Sequence, residues 1–379
     1  MDTTADLLKT PLHALHLEHG ARMAGFAGYD MPIQYPMGVM KEHLHTRSGA
    51  GLFDVSHMGQ ILIRAKSGDV RDAALALEKI APVDVADLTP GRQRYGIFTN
   101  ADGGIEDDFM VANRGDHLYL VVNAACKHQD LARLEAALSD SCEIEALFDR
   151  GLIALQGPDA ESALSAYAPD AAEMSFMDVS ELSIAGVPAV VSRSGYTGED
   201  GYEISLPAEE TDRITRLLLS DDRIALIGLG ARDSLRLEAG LCLYGNDIDA
   251  ATTPVEANLK WAIQKVRRKG GAREGGYPGA DVIQAQYANG TERSRAGLKP
   301  AGKAPVRAGA ELFEQESGGE AIGIVTSGGF GPSAGGPVAM GYVPSRLATT
   351  DTKLYADVRG KRLEITVAAL PFVPTTYKR

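Results

Sequence analysis

The chain has 379 residues, 44% of them hydrophobic and 23% charged, which is the composition of an ordinary globular protein of two or three domains. Its formal net charge of −13 disfavours nucleic acid as a partner, because an acidic surface repels a phosphate backbone. Three cysteines, Cys126, Cys142 and Cys242, have neither a paired nor a zinc-type spacing, which favours a reducing compartment.

The N-terminal segment, residues 1–6, is acidic and lacks the basic and apolar regions of a secretion signal. No apolar run approaches the roughly 20 residues that a membrane span requires. We therefore expect a soluble, cytoplasmic protein that does not contact a membrane.

Strand and helix patterns alternate through about residues 55–145 and predict an inserted α+β subdomain. Val70, Ala74 and Leu77 recur at the spacing of an amphipathic helix. The turn-forming sequence at residues 101–104 separates two apolar runs and predicts a hairpin. The strands predicted in this subdomain comprise residues 59–64, 95–100, 105–111 and 117–123.

The character of the sequence changes at about residue 290, where apolar residues alternate with period two between Gly- and Pro-rich turns. This pattern predicts a small β-barrel domain at residues 290–379, after a larger region at residues 1–275. The glycine-rich segment 269–279 is the predicted linker between them. The strands predicted before it are residues 152–155, 187–192 and 202–206.

Three histidines near the N-terminus, His13, His16 and His19, are spaced i, i+3, i+6 and suggest a metal site at first sight. At that spacing the side chains fan around a helix, and no neighbouring carboxylate–histidine motif completes a ligand set. We therefore predict packing or surface histidines and no metal.

An unusual group of acids lies in the strand pattern after the predicted hairpin turn. Strand alternation sends Asp107 to one face with Ile105 and Phe109, and Asp108 to the other face with Met110. The two acids are therefore not expected to form a carboxylate dyad. Because unpaired carboxylates are costly to bury, the two acids either cap the turn or pair with arginines, or they take part in chemistry.

Two further segments combine glycines with charged and aromatic residues. Residues 194–203 form a tight glycine-rich loop that leads into a strand, and residues 231–240 begin a helix whose first arginine, Arg232, can meet an anion. Together these segments predict a polar pocket.

With these motifs the chain resembles the T-protein (aminomethyltransferase) family of the glycine cleavage system. The resemblance covers essentially the whole chain, with the motifs in the family's order. It implies an α+β fold of three parts, arranged as a cloverleaf around a central folate pocket, with a C-terminal β-barrel. The matching segments are residues 23–32, 51–59, 103–108, 154–158, 195–203, 231–240, 243–249 and 371–374.

The resemblance also implies the reaction. The family takes an aminomethyl group carried on the lipoyl arm of the H-protein and transfers its one-carbon unit to tetrahydrofolate, the co-substrate. The products are 5,10-methylenetetrahydrofolate, ammonia and the dihydrolipoyl H-protein. Relatives on this fold include folate-dependent demethylases of small methylated amines or sulfonium compounds, which remain the alternative.

Residue roles follow from the same match. Asp108 matches the catalytic aspartate, which can steer a proton and stabilise positive charge at a reacting folate nitrogen. Glu203 matches the pterin-binding glutamate, since one carboxylate accepts two parallel N–H donors. Arg232 matches a ligand-binding arginine suited to the benzoyl-glutamate end or to bracing the pocket acids.

Five more residues are assigned to the pocket by the resemblance. Tyr196 and Tyr95 align with tyrosines that pack on the pterin, and Met58 and Trp261 are expected in the wall. Tyr377 aligns with a C-terminal residue that contacts the ligand.

A basic run at residues 265–273 stands out on this acidic chain. A solvated loop is one interpretation of such a run. The other is a docking patch, near Trp261, for an acidic H-protein, since charge complementarity raises association rates. On that hypothesis Arg267 and Arg268 contact the carrier.

Overall fold

The computed structural model describes residues 7–379. The acidic segment 1–6, on which the expectation about a targeting signal was based, lies outside the described residues. Among the described residues, no helix is long and apolar enough to cross a membrane.

The first part of the chain supplies a short hairpin and one strand of the main sheet. The hairpin strands β1 and β2 pair antiparallel, and its turn is tied to Leu8 by an isolated bridge to Tyr29. The elements are α1 (His13–Glu18), β1 (Arg22–Phe26), β2 (Tyr29–Gln34), α2 (Val39–Ser48) and β3 (Ala50–Asp54).

The inserted α+β subdomain follows and forms a five-stranded antiparallel sheet in the order β5-β6-β7-β4-β8. Its helix α3 begins where the Asp69 side chain accepts a hydrogen bond from the Arg71 amide, which satisfies a free N–H of the first turn. The elements are β4 (Gly59–Ala65), α3 (Val70–Leu77), β5 (Arg92–Thr99), β6 (Ile105–Asn113), β7 (Leu118–Val122), α4 (Lys127–Leu138) and β8 (Cys142–Ala146).

The next stretch returns to the main sheet, whose order is β10-β11-β12-β9-β3-β13. Every residue of strand β9 is buried, which explains the apolar run at residues 152–155. The elements are β9 (Gly151–Gln156), α5 (Ala160–Ser165), β10 (Val179–Ile184), β11 (Val187–Ser192), β12 (Gly201–Leu206), α6 (Ala208–Leu218), β13 (Ile224–Ile227) and α7 (Leu229–Glu238).

The last part is a closed barrel in the order β14-β17-β16-β15-β18-β19, which confirms the predicted C-terminal barrel and the α+β class. The helix before it was not foreseen. The elements are α8 (Ala280–Asn289), β14 (Arg293–Pro300), β15 (Glu311–Phe313), β16 (Gly323–Gly331), β17 (Gly336–Pro344), β18 (Lys353–Val358) and β19 (Lys361–Ala368).

Helix α7 joins the barrel to the main sheet. Arg236 pairs with Asp247 at 2.6 Å and donates to Ser327 of β16, and the Glu238 carboxylate accepts the amides of Ser333 and Ala334. The helix that carries Arg232 is therefore fixed at its C-terminal half by buried polar contacts to the barrel.

Candidate functional site

Asp108 reaches its position through the β5–β6 hairpin. The turn is closed by the Asn100 side chain, which accepts hydrogen bonds from the amides of Asp102 and Gly104. Gly104 is required because a Cβ there would lie 1.9 Å from the Ala250 carbonyl oxygen. The strand then alternates as predicted, with Asp107 fully buried and Asp108 only partly so.

Two donors hold the Asp108 carboxylate. The Tyr95 hydroxyl donates to Oδ2 at 2.9 Å, and the Asn123 side-chain amide donates to Oδ1 at 2.6 Å. Burial, followed by the charge of Asp107, raises the pKa of Asp108 to about 7, against the opposing effect of the two hydrogen bonds. A carboxyl group with that pKa can both hold and release a proton near neutrality.

Asp107 has a different environment on the buried face. The Asn123 amide group also donates to its Oδ1, at 2.8 Å, so one asparagine bridges both acids. Burial and a hydrogen bond to Asp130 raise the pKa of Asp107 to about 8. No nitrogen donor among the described residues reaches the buried Asp130 Oδ2, while Oδ1 accepts from Arg133 at 2.6 Å. A proton shared by Asp107 and Asp130 therefore satisfies both.

The structure thus refines the expectation about a carboxylate dyad. Asp107 and Asp108 do face opposite ways, but Asp107 forms a carboxyl pair with Asp130 from α4. Asn123 and Asp130 were missed by the sequence analysis. Asn123 follows β7 directly, and since Val122 pairs with Phe109, the antiparallel register brings Asn123 beside Asp108.

Tyr95 and Trp261 form an aromatic wall next to Asp108. Their ring centroids are 5.1 Å apart with planes inclined by 35°, and Trp261 is 58% exposed. Since the Tyr95 hydroxyl contacts Asp108, the wall connects the carboxylate to the protein surface.

Glu203 lies at the start of β12, next to the glycine-rich loop. Ser194 donates to its Oε2 at 2.8 Å, and no other described residue donates to this carboxylate. The loop packs so closely against Gln156 that position 195 must be glycine, because a Cβ there would lie 1.8 Å from the Gln156 amide oxygen. Glu203 therefore keeps acceptor capacity for a ligand.

Arg232 and Tyr196 complete this side of the site. The guanidinium lies over the Tyr196 ring, 4.7 Å from its centroid, and none of the described carboxylates pairs with it. Burial lowers the pKa of Arg232, while Tyr196 and Glu203 act in the opposite direction. The Tyr196 hydroxyl donates to the Cys242 carbonyl, which fixes the ring.

The structure brings most of the predicted residues into two groups: Asp108, Tyr95 and Trp261 on one side, and Glu203, Tyr196 and Arg232 on the other. Burial raises the pKa of Tyr196, and the Asp108 charge adds to this effect, which indicates that the groups are neighbours.

The two remaining predicted residues lie at the margins of these groups. Met58 packs against the apolar cluster that contains Ala231, at the base of Arg232. Tyr377 stacks on Phe176 with centroids 4.2 Å apart, while Thr376 binds the outer side of the 194–201 loop through Gly198. The contacts of Tyr377 are therefore with a flank of the site.

The basic run differs from the docking hypothesis. Arg267 is 4% exposed and donates to the backbone carbonyls of Glu78 and Arg273, and Arg273 pairs with Glu78 at 2.9 Å and with Asp84 at 2.5 Å. These arginines fasten segment 269–279 to the inserted subdomain, so the prediction that Arg267 contacts a carrier is wrong.

The N-terminal histidines have polar partners of their own. His13 contacts Asp30 at 2.9 Å, and buried His16 contacts Asp54 at 2.8 Å and Tyr35 at 2.9 Å. Within residues 7–379 no cluster of three or more His, Cys, Asp or Glu has the geometry to hold a metal ion.

Comparison with known proteins gives consistent results for both parts of the chain. Residues 12–267 match the model of the GCVT N-terminal domain, and residues 293–374 match that of the glycine cleavage T-protein C-terminal barrel domain. The mitochondrial aminomethyltransferase of Dictyostelium discoideum is 43% identical over 391 residues, covering 99% of this chain and 94% of its own. That of Pisum sativum is 44% identical, covering 99% and 91%.

A solved structure agrees over the full length. The crystal structure of glycine cleavage system aminomethyltransferase T from Bartonella henselae superposes with a TM-score of 0.90 at 44% identity, covering 99% of this chain and 100% of that one. The chain therefore belongs to the glycine cleavage T-protein family.

Proposed function

We propose that this chain is an aminomethyltransferase of the glycine cleavage system that moves a one-carbon unit to tetrahydrofolate. The relatives named above are aminomethyltransferases, and their similarity to this chain covers nearly its whole length. Within the site, the proposal rests on three groups found together. Asp108 is a carboxyl group with a raised pKa, Glu203 is a carboxylate with a single protein donor, and Arg232 is a guanidinium without a carboxylate partner.

The donor and acceptor set fits a reduced folate. Glu203 offers oxygens to the parallel N–H groups of a pterin, as a carboxylate does for any two-donor edge. The ring of Tyr196, held by Cys242 and covered by Arg232, offers an aromatic face beside it. Arg232 also supplies a positive charge without a competing carboxylate.

Asp108 carries the proton chemistry in this proposal. The transfer breaks the carbon–sulfur and carbon–nitrogen bonds of the carried aminomethyl group and forms carbon bonds to two folate nitrogens. The protons of those nitrogens leave on the thiol and on ammonia, so the equation balances without an oxidant. Ionised Asp108 accepts one of them and stabilises positive charge at the reacting nitrogen.

Tyr95 and Asn123 act as positioning residues. Both donate to the ionised form of Asp108, so they fix the carboxylate and limit the rise of its pKa caused by burial. The Asp107–Asp130 pair, by sharing a proton, removes one negative charge from the vicinity of Asp108.

The finer assignments are part of the proposal as well. The aminomethyl donor is the lipoylated H-protein, and tetrahydrofolate is a co-substrate. The three cysteines are buried and free, which supports the proposed cytoplasmic location.

A single-turnover assay tests the function. Purified protein is mixed with tetrahydrofolate and aminomethyl-loaded lipoyl H-protein, and ammonia and 5,10-methylenetetrahydrofolate are followed. Free dimethylglycine, sarcosine and a sulfonium compound serve as competing donors. Carrier-dependent release of ammonia supports the proposal, whereas product from a free methylated donor alone would make the chain a demethylase.

A further inference from the structure

The chain ends in a segment without helix or strand, residues 372–378, which we call the C-terminal strap. Near its start the Phe372 amide donates to the Glu238 carbonyl at the end of α7, at 2.8 Å. At its other end the Lys378 carbonyl accepts the Phe176 amide at 2.7 Å. The strap is therefore fixed at both ends by contacts with the body of the protein.

Between these ends, Thr376 binds three consecutive residues of the 194–201 loop. Its amide donates to the Gly198 carbonyl at 3.0 Å, and its hydroxyl donates to Glu199 Oε2 at 2.6 Å. The Asp200 amide donates to the same hydroxyl at 3.2 Å. One exposed threonine thus satisfies a carbonyl, a carboxylate and an amide of the loop.

The buried Glu199 carboxylate is held from its other side by Arg47 of α2. Arg47 Nη1 donates to Glu199 Oε1 and to the Thr197 carbonyl, both at 2.8 Å. Arg47 Nη2 donates to the Glu238 carboxylate of α7 at 3.0 Å. The two oxygens of Glu199 are therefore bound by groups from distant parts of the chain, which fixes the loop relative to α7.

The residues held in this way, 197–200, lie between two residues of the candidate site. Tyr196 comes directly before them, and Glu203 follows a few residues later. The Tyr196 ring packs against Arg232, which α7 supplies. A displacement of the loop would therefore change the distance between the groups that α7 and the loop each offer to a ligand.

We propose that Thr376 is a positioning residue for folate binding, through which the C-terminal strap holds the 194–201 loop in the geometry that receives the pterin. The inference rests on the proposed function, in which Tyr196 and Glu203 contact the pterin. A loop that is ordered before the ligand arrives loses less conformational entropy on binding, so the affinity is higher. Thr376 acts through the loop and needs no contact with the ligand.

A contribution to the stability of the fold alone would give a different result. The Thr376 side chain is exposed, and among the described residues its hydroxyl bonds only to Glu199 and Asp200. Removal of the hydroxyl leaves the core packing unchanged, so the melting temperature should change little. An effect on folate affinity then reports the position of the loop.

The test is Thr376→Val, which replaces the hydroxyl by a methyl group. Calorimetric titration with tetrahydrofolate should give a Kd about threefold to tenfold higher than the wild type, the equivalent of about one net hydrogen bond. The KM for tetrahydrofolate should rise by a similar factor, with the loss in KM rather than in kcat. Hydrogen–deuterium exchange at residues 196–203 should become faster. Thr376→Ser keeps the hydroxyl and should restore the affinity.

The matched control is Thr375→Val, at a neighbouring exposed threonine whose hydroxyl forms no hydrogen bond within residues 7–379, and it should bind tetrahydrofolate as the wild type does. An unchanged Kd in Thr376→Val, or an equal rise in Thr375→Val, would overturn the proposal. A Thr376→Ser variant as weak as Thr376→Val would also overturn it, because the hydroxyl would then not be the cause. If the wild type binds tetrahydrofolate but transfers no carbon from the carrier, the proposed function fails, while the Kd comparison still decides the role of Thr376.

Discussion

The two sides of the site handle charge in opposite ways. On the Asp108 side, both oxygens of the Asp108 carboxylate accept hydrogen bonds from protein donors, and the register of β5, β6 and β7 fixes these partners. On the Glu203 side, strand β12 presents a carboxylate with one donor, and the first turn of α7 presents the Arg232 guanidinium without an acid. The hydrogen bonds of the Asp108 carboxylate are thus supplied by the protein, whereas Glu203 and Arg232 keep hydrogen-bonding capacity for a ligand.

This difference assigns different tasks to the two sides. Burial raises the pKa of Asp108 to about 7, so its protonation state responds to small changes in its neighbours. Such tuning suits proton transfer. Unsatisfied charges next to an aromatic ring suit binding, because the ligand gains charge-assisted hydrogen bonds that no protein group competes for. Substitutions on the two sides should therefore change different kinetic constants.

The largest expected effect is that of Asp108→Asn. The amide cannot accept a proton or balance positive charge, so we expect kcat to fall about 100-fold or more while the affinity for tetrahydrofolate stays within about threefold. Single-turnover kinetics and calorimetry measure the two quantities. Asp102→Asn, an exposed position in the same hairpin turn, is the matched control. A nearly active Asp108→Asn enzyme would remove Asp108 from the mechanism.

Glu203→Gln should have the complementary effect. The neutral amide loses at least one of the charge-assisted hydrogen bonds offered to the pterin, which corresponds to about a 10-fold rise in the Kd for tetrahydrofolate. We expect kcat at saturation to change little, because Glu203 is not in the proton path. Glu209→Gln, exposed on α6, controls for the loss of charge. A fall in kcat at unchanged Kd would contradict the division of tasks.

Much of the architecture on both sides of the site could be predicted from the sequence. The hairpin, the alternation of Asp107 and Asp108, the barrel and the loop at 194–203 follow from local patterns of periodicity and turn residues. Contacts between distant segments do not follow from such patterns. Asn123 meets Asp108 only through the pairing of β6 with β7, and Asp130 meets Asp107 only through the packing of α4.

The basic run at residues 265–273 is a second example of contacts between distant segments that the sequence does not predict. Its composition indicates a solvated or docking surface. Arg267 and Arg273 instead form ion pairs with Glu78 and Asp84, which lie about 190 residues earlier in the chain. A local charge run gives the number of cations and not the number that remain unpaired. Only the folded structure separates Arg267 and Arg273, which pair with acids of the subdomain, from cations of the same run such as Lys265 and Lys269, which form no ion pair with the described residues.

Tyr95→Phe sharpens the comparison through pH. In the wild type, kcat should rise with pH through about 7, because the ionised form of Asp108 is the active one. Removing the Tyr95 hydroxyl withdraws a donor that lowers the pKa of Asp108, so the pKa rises and the rising limb moves to higher pH. We expect a shift of about one unit or less, and a severalfold lower kcat at pH 7 that is recovered at higher pH.

Tyr196→Phe is the counterpart of this variant on the binding side, and its expected effect is the smallest. The substitution removes the hydroxyl that donates to Cys242 but keeps the ring under Arg232, so the Kd for tetrahydrofolate should rise only about twofold to fivefold, the equivalent of one net hydrogen bond. The pH limb should stay where the wild type has it, since the Tyr196 hydroxyl donates to a carbonyl and not to Asp108.

Both variants remove one hydroxyl from a half-buried pocket tyrosine, so a general loss of packing would affect them alike. A pH shift in Tyr95→Phe together with none in Tyr196→Phe would locate the titrating group on the Asp108 side, whereas equal shifts in both would mean that the two sides act as one electrostatic unit.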